Sequence, residues 1–407
     1  MAAASFADDA GVTASILPPG IDVPDAVVSI VRTLESSGHQ AWCVGGALRD
    51  AVLRLPHSDF DVATSAPPPV VRSLFRRTVP VGERFGTIGV LDPDGILHEV
   101  TTFRRDVSTD GRHAVVAFGV SLEDDLARRD FTINALGYHP LRGEWRDPFQ
   151  GAGDLAAGVI RAVGVAEERF REDYLRILRA LRFAARFDFA IDPATWTALR
   201  SAAPGLAGLS AERVRDEWFK GLTSARSVAR LVGLWRDAGA TAAWLPGLAD
   251  PATLPDAAMS SQPRDPVLLT ACLAPAPATL LRRLRASNAE IARAAAIEAG
   301  PEGPTSDDDI AVRRWLSVAG DAADDLLAAW RLRHGMPAAW AGRVAAIRER
   351  GDAVSRRALQ VTGHDLTALG ITGAGVGRTL DRLLDRVLEN PELNRRDVLL
   401  AMAAEPS

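Results

Sequence analysis

A paired glycine constrains the first half of this chain more than any other feature. Gly45 and Gly46 stand between a short apolar segment, residues 41–44, and a predicted helix over residues 47–55 that carries Arg49. Glycine at this junction lets the backbone approach a phosphate closely, and the start of a helix supplies free N–H groups and the positive end of its dipole. The sequence therefore predicts a strand, a turn and a helix that together hold phosphate, with Arg49 within reach of it.

Two aspartates follow at a spacing that suits metal ions. Asp59 and Asp61 lie at positions i and i+2 of a predicted strand over residues 59–64, which places both carboxylates on one face. Two anionic oxygen ligands suit Mg²⁺, and a pair of Mg²⁺ ions suits in-line nucleotidyl transfer. An isolated Asp-x-Asp is most often a solvated strand end, but the glycine turn just upstream favours a metal site here. Glu99, inside another predicted strand, is a candidate third catalytic carboxylate, although an outward-facing polar residue explains it equally well.

A second motif is the segment 128–135, which gathers two arginines, an aspartate and an asparagine. Arg128 and Arg129, with Asp130 and Asn134, could form a network around the ribose and triphosphate of a nucleotide. Alone, the same residues could form a capped helix end with an ion pair. The motif is therefore informative only in combination with the glycine turn and the aspartates.

A third motif, over residues 172–182, suggests how a base is chosen. Asp173, Arg176, Arg179 and Arg182 recur every three residues of a predicted helix, so their side chains lie side by side. An amphipathic helix with ion pairs on its polar side is the alternative. Cytosine and adenine each offer an exocyclic amine beside a ring nitrogen acceptor, which Asp173 and Arg176 would complement. Uracil and guanine present a carbonyl and an N–H there, so the pair would exclude them. Arg179 and Arg182 would then face the triphosphate or hold Arg176 in place.

The predicted secondary structure changes near the middle of the chain, from mixed α/β to consecutive helices. Apart from the elements named above, the predicted elements of the first half are a helix over 24–36 and strands over 86–91 and 96–103. Residues 104–113 are polar and aperiodic, and we expect them to be mobile. From about Glu167 apolar residues recur with helical spacing, and breaks near 249–266 and 299–309 suggest joints between subdomains.

Composition narrows the class of protein. The 407 residues allow two or more domains, and the net charge of −5 excludes a uniformly basic nucleic-acid binder, so RNA contact must come from local basic surface. All basic residues except Lys220 are arginines, which bind phosphate in a bidentate manner. We expect no membrane span and no signal peptide, because the sequence has no long apolar run. Cys43 and Cys272 are expected to be reduced, packed thiols of a cytoplasmic protein.

Taken together, the motifs resemble one family. Gly-Gly-x-x-Arg-Asp, Asp-x-Asp, Arg-Arg-Asp-x-x-x-Asn-Ala and Glu-Asp-x-x-Arg occur in the order and approximate spacing of class II tRNA nucleotidyltransferases, the CCA-adding enzymes and their bacterial poly(A) polymerase relatives. Other segments resemble the family's flexible loop, a helical motif that supports nucleotide specificity, and the tRNA-binding tail. These segments are residues 101–112, 212–217 and 362–396.

The resemblance implies an α/β N-terminal nucleotidyltransferase head of the DNA polymerase beta type, built on a small mixed sheet, and then an all-α neck, body and tail. The implied bounds are residues 1–23 for an N-terminal extension, 24–150 for the head, 151–224 for the neck, 225–345 for the body and 346–407 for the tail. Asp59 and Asp61 would hold Mg²⁺ and act in catalysis with Glu99. The residues implied to bind nucleotide are Gly45, Gly46, Arg49, Arg129, Asp130, Asn134, Asp173, Arg176, Arg179 and Arg182.

The implied activity is addition of C, C and A to the 3′ end of tRNA, with CTP and ATP as substrates and no evident protein partner. The 3′-hydroxyl would attack the α-phosphate and release pyrophosphate. The loop at 104–112 favours the full activity, since family members that add only CC tend to have that loop altered. With His334 and His364 as the only histidines after residue 139, we expect no phosphohydrolase activity.

Three alternatives stay open at this point. An enzyme that adds only A fits the same motifs. A poly(A) polymerase also fits, although it would usually carry extra basic sequence that residues 398–407 lack. A non-catalytic RNA-binding protein of the same fold is a remote alternative, because it predicts the loss of at least one metal carboxylate.

Overall fold

The structure, a computed structural model, describes residues 17–57, 59–109, 114–248 and 264–405. Contacts divide the chain into two units between Pro246 and Gly247, and each unit is described by itself. The predicted head and neck residues fall together in the first unit. The finer division into extension, head, neck, body and tail stays a prediction.

A mixed sheet forms the core of the first part of this unit. The elements in chain order are α1 (Asp25–Ser36), β1 (Ala41–Val44), α2 (Gly46–Val52), β2 (Asp61–Thr64), α3 (Pro68–Leu74), β3 (Thr78–Gly82), β4 (Thr87–Leu91), β5 (Leu97–Thr102), β6 (Arg104–Thr109), β7 (Ala114–Phe118), α4 (Leu122–Ala127), β8 (Gly137–His139) and β9 (Glu144–Arg146). The main sheet has the strand order β3-β4-β5-β2-β1-β8-β9, in which β2 and β5 are parallel and the other neighbours are antiparallel. This confirms the predicted α/β head with a small mixed sheet.

One face of this sheet is covered and part of the other stays open. Along β5 the side chains alternate, because His98, Val100 and Thr102 are buried while Leu97 and Glu99 are exposed. Successive side chains of a strand point to opposite faces, so Leu97 and Glu99 share the open face. The helix predicted over 24–36 is confirmed as α1, which packs against β1 and β2 through a buried apolar stripe.

Residues 104–109 form a regular strand within the polar segment that is expected to be mobile, and its mobility stays a prediction. They form β6, which pairs antiparallel with β7 and is anchored where Arg104 donates a hydrogen bond to the carbonyl of Phe85. A hairpin supplies backbone hydrogen bonds whatever the polarity of its side chains. The polar composition of the segment therefore concealed the strand. Residues 110–113 lie outside the described residues.

Helices dominate the rest of the first unit. They are α5 (Gly151–Ala157), α6 (Ala166–Glu172), α7 (Leu175–Phe187), α8 (Pro193–Ala202), α9 (Ala211–Ser224), α10 (Val228–Asp237) and α11 (Ala240–Trp244), with a short parallel pair, β10 (Val159–Ile160) and β11 (Ala190–Ile191), among them. α7 packs against α9 and α10, whose Trp218 and Trp235 meet edge to face with ring centroids 5.1 Å apart. Phe183 of α7 also packs edge to face against Phe131 of the head, with ring centroids 6.0 Å apart. The predicted helical texture is confirmed, and α7 is held against the head.

The second unit is helical throughout its described residues. Its helices are α12 (Pro266–Leu273), α13 (Pro277–Arg283), α14 (Asn288–Ala299), α15 (Asp309–Ala319), α16 (Ala323–His334), α17 (Ala341–Arg350), α18 (Gly363–Ala368), α19 (Ala374–Glu389) and α20 (Arg396–Ala404). One apolar cluster surrounds Trp315 and Trp340, and another surrounds Leu383 and Leu399. The buried Arg313 connects them by donating to the main chain of α19 over 2.7 Å.

The two breaks predicted in the helical half have different outcomes. Residues 300–308 separate α14 from α15, as predicted, whereas most of 249–266 lies outside the described residues. In the part of the chain that the structure describes, no helix combines the length and apolar character needed to cross a membrane.

Candidate active site

One cleft in the first unit brings all of the sequence-predicted site residues together. Its volume is about 810 Å³. The predicted residues that line it are Gly45, Gly46, Arg49, Asp59, Asp61, Glu99, Arg129, Asp130, Asn134, Asp173, Arg176, Arg179 and Arg182. They come from distant parts of the sequence, so the fold and not sequence proximity assembles the cleft.

The glycine turn after β1 lies against an acidic side chain. Gly45 has φ of 87° and ψ of −150°, a backbone conformation essentially restricted to glycine. A Cβ atom on Gly45 would lie 2.9 Å from Oδ2 of Asp61 and 3.5 Å from Nη1 of Arg129. The missing side chain therefore lets the turn, a carboxylate and a guanidinium meet at the start of α2.

Asp59, Asp61 and Glu99 all face the cleft, although Asp59 does not lie on the predicted strand. β2 begins at Asp61, so the predicted start at residue 59 is wrong by two residues. The parallel register of β2 and β5 places Asp61 beside Glu99 on the open face of the sheet. Burial raises the pKa of Asp61 to about 6; the charge of Arg129 opposes this rise, and Glu99 and Asp59 add to it.

The charges of this group suit a divalent cation. Negative neighbours help to raise the pKa of Asp61, so the repulsion among the carboxylates is incompletely compensated. Across the described ranges, no group of three or more His, Cys, Asp or Glu side chains converges closely enough to hold a metal ion by itself. An open set of carboxylates fits Mg²⁺, which keeps several waters and takes substrate phosphates as ligands.

Arg129 stands beside these carboxylates. Its Nη2 donates to Oδ2 of Asp125 over 3.3 Å, and its Nη1 donates to the carbonyl of Asn134 over 3.4 Å. Burial lowers the pKa of Arg129, while the charges of Asp125 and Asp61 act in the opposite direction. The side chain therefore brings a half-buried positive charge to the edge of the acidic group.

A hydrogen-bond network joins α2 to the second motif and to α7. Arg49 donates to Oδ1 of Asn134 over 2.6 Å, and Nδ2 of Asn134 donates to Asp130 over 3.0 Å. Asp130 also accepts from Nε of Arg179 over 2.7 Å. Burial opposes ionisation of Asp130, yet the charge of Arg179 and these hydrogen bonds lower its pKa to about 2. The network therefore keeps Asp130 charged and fixes the direction of both arginines.

Asp173 does not lie on the helix that carries Arg176, so the predicted arrangement of i and i+3 on one helix is wrong. α6 ends at Glu172, and Asp173 has an extended backbone before α7 begins at Leu175. Oδ1 of Asp173 accepts from the backbone N–H of Leu175 over 3.0 Å, and Oδ2 accepts from Nη2 of Arg213 over 2.6 Å. A carboxylate that satisfies a free N–H at the start of a helix stabilises that start, and side-chain spacing alone does not reveal such a break.

Arg176 is held by other partners and still lines the cleft. Its Nη1 pairs with Oε2 of Glu172 over 2.5 Å, and its Nη2 donates to the carbonyl of Arg128 over 2.9 Å. A guanidinium has five N–H donors, so these contacts leave others for a ligand. Asp173 and Arg176 thus reach the same cleft as two separately positioned groups.

The sequence reasoning missed an aromatic support for the arginines. The guanidinium groups of Arg49, Arg179 and Arg182 lie 5.0, 5.3 and 4.3 Å from the ring centroid of Phe183. Nε of Arg182 also pairs with the buried Glu217 over 2.6 Å. Other lining residues that were missed are Thr87, Thr101, Arg104, Arg186, Arg213 and Lys220. A phenylalanine directly after each of the last two arginines of α7, Arg182 and Arg186, was the available signal, but such residues look like ordinary core.

The sequence also matches known families and proteins. The Poly A polymerase head domain matches residues 41–161, and the probable RNA and SrmB-binding site of polymerase A matches residues 188–250. CCA-adding enzymes of Lactiplantibacillus plantarum and Leuconostoc mesenteroides are 46% and 48% identical over 211 and 210 residues. These matches cover 51% of this chain and 51% and 52% of the two relatives, so the chain spans about half the length of the curated relatives it matches.

A solved structure extends the similarity along the whole chain. The CCA-adding enzyme of Bacillus stearothermophilus, solved in complex with CTP, is 32% identical with a TM-score of 0.79, and the match covers 93% of this chain and 96% of that one. The chain belongs to the CCA-adding enzyme family. A Thermotoga maritima CCA-adding enzyme, solved with tRNA, shares the fold, with a TM-score of 0.65 at 19% identity over 94% of this chain and 95% of that one. In this family member, the glycine turn and all three carboxylates lie within the matched head domain.

Proposed function

We propose that this protein is a tRNA nucleotidyltransferase that adds C, C and A to the 3′ end of tRNA from CTP and ATP in the cytoplasm. One observation carries the proposal: the glycine turn, the carboxylates and the Asp173 and Arg176 side chains line a single cleft. A phosphate-binding turn and a metal site would supply the transfer, and the other two groups would supply the choice of base. The names of the relatives, including one solved with CTP and one with tRNA, support the same activity.

The proposed reaction is attack of the tRNA 3′-hydroxyl on the α-phosphate, with pyrophosphate as the leaving group. Asp59 and Asp61 would hold Mg²⁺, which supplies charge neutralisation on the phosphates when bound. The N–H groups at the start of α2 and the side chain of Arg179 would bind the triphosphate, and Glu99 would accept the proton of the attacking hydroxyl. Catalysis of this kind rests mainly on positioning and electrostatic stabilisation.

The base would be read by hydrogen bonds to its polar edge. Each oxygen of Asp173 already accepts one hydrogen bond, from Leu175 and from Arg213, and a carboxylate has lone pairs for more. The exocyclic amine of C or A would donate to Asp173, and a free N–H of Arg176 would donate to the adjacent ring nitrogen. U and G would leave both groups unpaired or facing like partners, which costs the hydrogen bonds that C and A would make. Selection would therefore need no nucleic-acid template.

The RNA partner would be held through its shape and its phosphates. Residues 161–186 contain seven arginines against four acidic residues, a local excess in a chain of net charge −5. Such contacts are recognised by their salt dependence, because each neutralised phosphate releases counterions. We expect tRNA binding to weaken steeply as salt rises, and binding that is insensitive to salt would contradict this view.

A direct test uses the end of the RNA product. The protein is incubated with tRNA that ends before CCA, after C and after CC, with Mg²⁺ and each nucleoside triphosphate separately. C, C and A addition in that order is expected. An enzyme that adds only A would extend only the CC end, whereas a poly(A) polymerase, the second candidate because the matched head domain carries that description, would add A to every end.

A variant separates the enzyme from an RNA-binding protein of the same fold. Asp59→Ala removes one metal ligand and should abolish nucleotide addition while leaving tRNA binding. Asp321→Ala, an exposed acid of the second unit, is the matched control and should be as active as the wild type. Full activity of Asp59→Ala would show that the enzyme reading is wrong.

A further inference from the structure

The open face of the head sheet carries an aliphatic surface beyond the carboxylates. Val81 of β3 is 45% exposed and Leu97 of β5 is 43% exposed. Between them lies Gly89 of β4, where a Cβ atom would sit 2.5 Å from Cδ1 of Leu97 and 2.8 Å from Cγ2 of Val81. The two side chains therefore close over the glycine and form one continuous surface, called here the Val81–Leu97 surface.

This surface continues directly from Glu99. Leu97 and Glu99 are two residues apart on β5 and point to the same face of the sheet. The order of strands is β3-β4-β5-β2-β1. A path across the sheet from the glycine turn after β1 thus meets Asp61 on β2, Glu99 on β5, and then the Val81–Leu97 surface. Neighbouring strands lie about 4.8 Å apart, so the path from β5 to β3 is about 10 Å long.

In-line geometry assigns a direction to this path. In an in-line displacement the attacking oxygen and the leaving oxygen lie on opposite sides of the phosphorus. The leaving pyrophosphate would lie at the N-terminus of α2 near Gly46, on the β1 side of the carboxylates. The attacking 3′-hydroxyl would then approach from the β5 side, and the nucleoside that carries it would lie over β5, β4 and β3.

Charge at the two ends of β3 suits the backbone of the same nucleic acid. Arg76 and Arg77 precede the strand and Arg84 follows it, and all three are exposed. The Arg84 guanidinium lies 4.6 Å from the ring centroid of Phe85, and Arg77 donates to a carbonyl in the β4–β5 turn over 3.1 Å. Positive charge therefore flanks the Val81–Leu97 surface, an arrangement that suits the flat face of a base on the side chains and its charged phosphates beside them.

Pairing with a strand of another protein fits this edge less well. Pro80 lies in the middle of β3 and has no N–H to donate to an added strand. One nucleoside, in contrast, matches the width of three strands.

We propose that the Val81–Leu97 surface receives the 3′-terminal nucleoside of the RNA acceptor, with its base and ribose on the aliphatic side chains and its 5′ phosphates towards Arg76, Arg77 and Arg84. This proposal rests on the nucleotidyl transfer proposed above. Aliphatic contact does not distinguish one base from another. A surface of this kind suits a reaction in which the terminal nucleotide changes after every addition.

The test pairs a protein variant with a substrate that lacks the terminal base. The double variant Val81→Thr, Leu97→Gln keeps the shape of two exposed side chains and makes the surface polar. The substrates are tRNA that ends before CCA and the same tRNA with an abasic 3′-terminal nucleoside. Ile96→Ser is the matched control, because Ile96 is 59% exposed and adjacent to Leu97 but precedes the strand.

The measured quantities are kcat/KM for the RNA and KM for CTP. Wild type should lose about tenfold in kcat/KM on the abasic RNA, since burying one base against two aliphatic side chains is worth about one such factor. The double variant should lose about tenfold on intact RNA and lose nothing further on abasic RNA, because both changes remove the same contact. KM for CTP should stay unchanged, and Ile96→Ser should match the wild type.

Two outcomes would overturn the proposal. Wild-type kcat/KM of the double variant on intact RNA is one, and losses that multiply when the variant meets the abasic RNA are the other. The single variant Val81→Thr is read in the same way if circular dichroism shows that the double variant is unfolded. A wild type that extends no RNA at all would instead remove the proposed function and this proposal with it, so the two failures are distinguishable.

Discussion

Alanine at Gly45 should damage the active site more than it damages the fold. The residue has φ of 87° and ψ of −150°, so any side chain strains the backbone by about 1–3 kcal/mol. The added Cβ would also lie 2.9 Å from Oδ2 of Asp61, closer than carbon and oxygen normally approach. Relief requires a shift of several tenths of an ångström in a carboxylate that is proposed to hold Mg²⁺.

The two effects can be given separate magnitudes. Strain alone should lower the free energy of unfolding by about 1–3 kcal/mol. A displacement of about 1 Å in an active site can cost about 100-fold in rate, so a shift of several tenths of an ångström should cost at least about tenfold. The rate at saturating CTP should therefore fall even where all of the protein is folded.

Gly38→Ala is the matched control. Gly38 also has a positive φ, 85°, but a Cβ there would meet no atom within 4 Å. It should lose stability without losing rate. Urea unfolding gives the stability of both variants, and single-turnover incorporation of C into tRNA gives the rate. Equal single-turnover rates for Gly45→Ala and Gly38→Ala would refute the proposed contact between the turn and the carboxylate.

Three further predictions concern charge in the cleft. Burial raises the pKa of Asp61 to about 6, so the carboxyl is protonated below that pH. The Mg²⁺ concentration that gives half the maximal rate should therefore rise with each unit of acidification. An unchanged Mg²⁺ requirement between pH 5 and 7 would contradict this prediction. Arg182→Met leaves the buried Glu217 without its partner, which lies at 2.6 Å, and should lower the free energy of unfolding in urea by about 3–5 kcal/mol. The double variant Arg182→Met, Glu217→Met should recover part of this loss. Equal stability of the single and double variants would count against the prediction. Arg213→Ala frees Asp173, which Arg213 holds at 2.6 Å. The preference for CTP over UTP should fall about tenfold, since a charged hydrogen bond is worth about 1.5–3 kcal/mol. An unchanged ratio of the two kcat/KM values would exclude a role of Arg213 in positioning Asp173.

Local pattern was enough to predict the centre of the site but not its supports. The glycine turn could be predicted because a short apolar strand, two glycines and a helix are adjacent in the sequence, and the two aspartates come a few residues after that helix. Asp173 was placed on a helix since a three-residue spacing continues across it, and only the structure shows the extended backbone between α6 and α7. The contact of Asp173 with Arg213 joins residues 40 positions apart and has no local signal.

Non-local pairing explains the other differences. The polar segment that forms β6 is a strand because β7 pairs with it, and no periodicity in the sequence of β6 indicates this pairing. The stacking of guanidinium groups on Phe183 likewise depends on α2 meeting α7. Such supports are visible only when helices distant in the sequence come together.

The most direct test of the account asks whether the protein itself chooses the base. The double variant Asp173→Ala, Arg176→Ala is compared with wild type by the ratio of kcat/KM for CTP to that for UTP on tRNA that ends before CCA. Arg356→Ala with Asp381→Ala, which removes an exposed ion pair of the second unit, is the control. The account predicts a strong preference for C in wild type and control, and a large loss of that preference in the cleft variant with an unchanged Mg²⁺ requirement. The same ratio in all three proteins would contradict it.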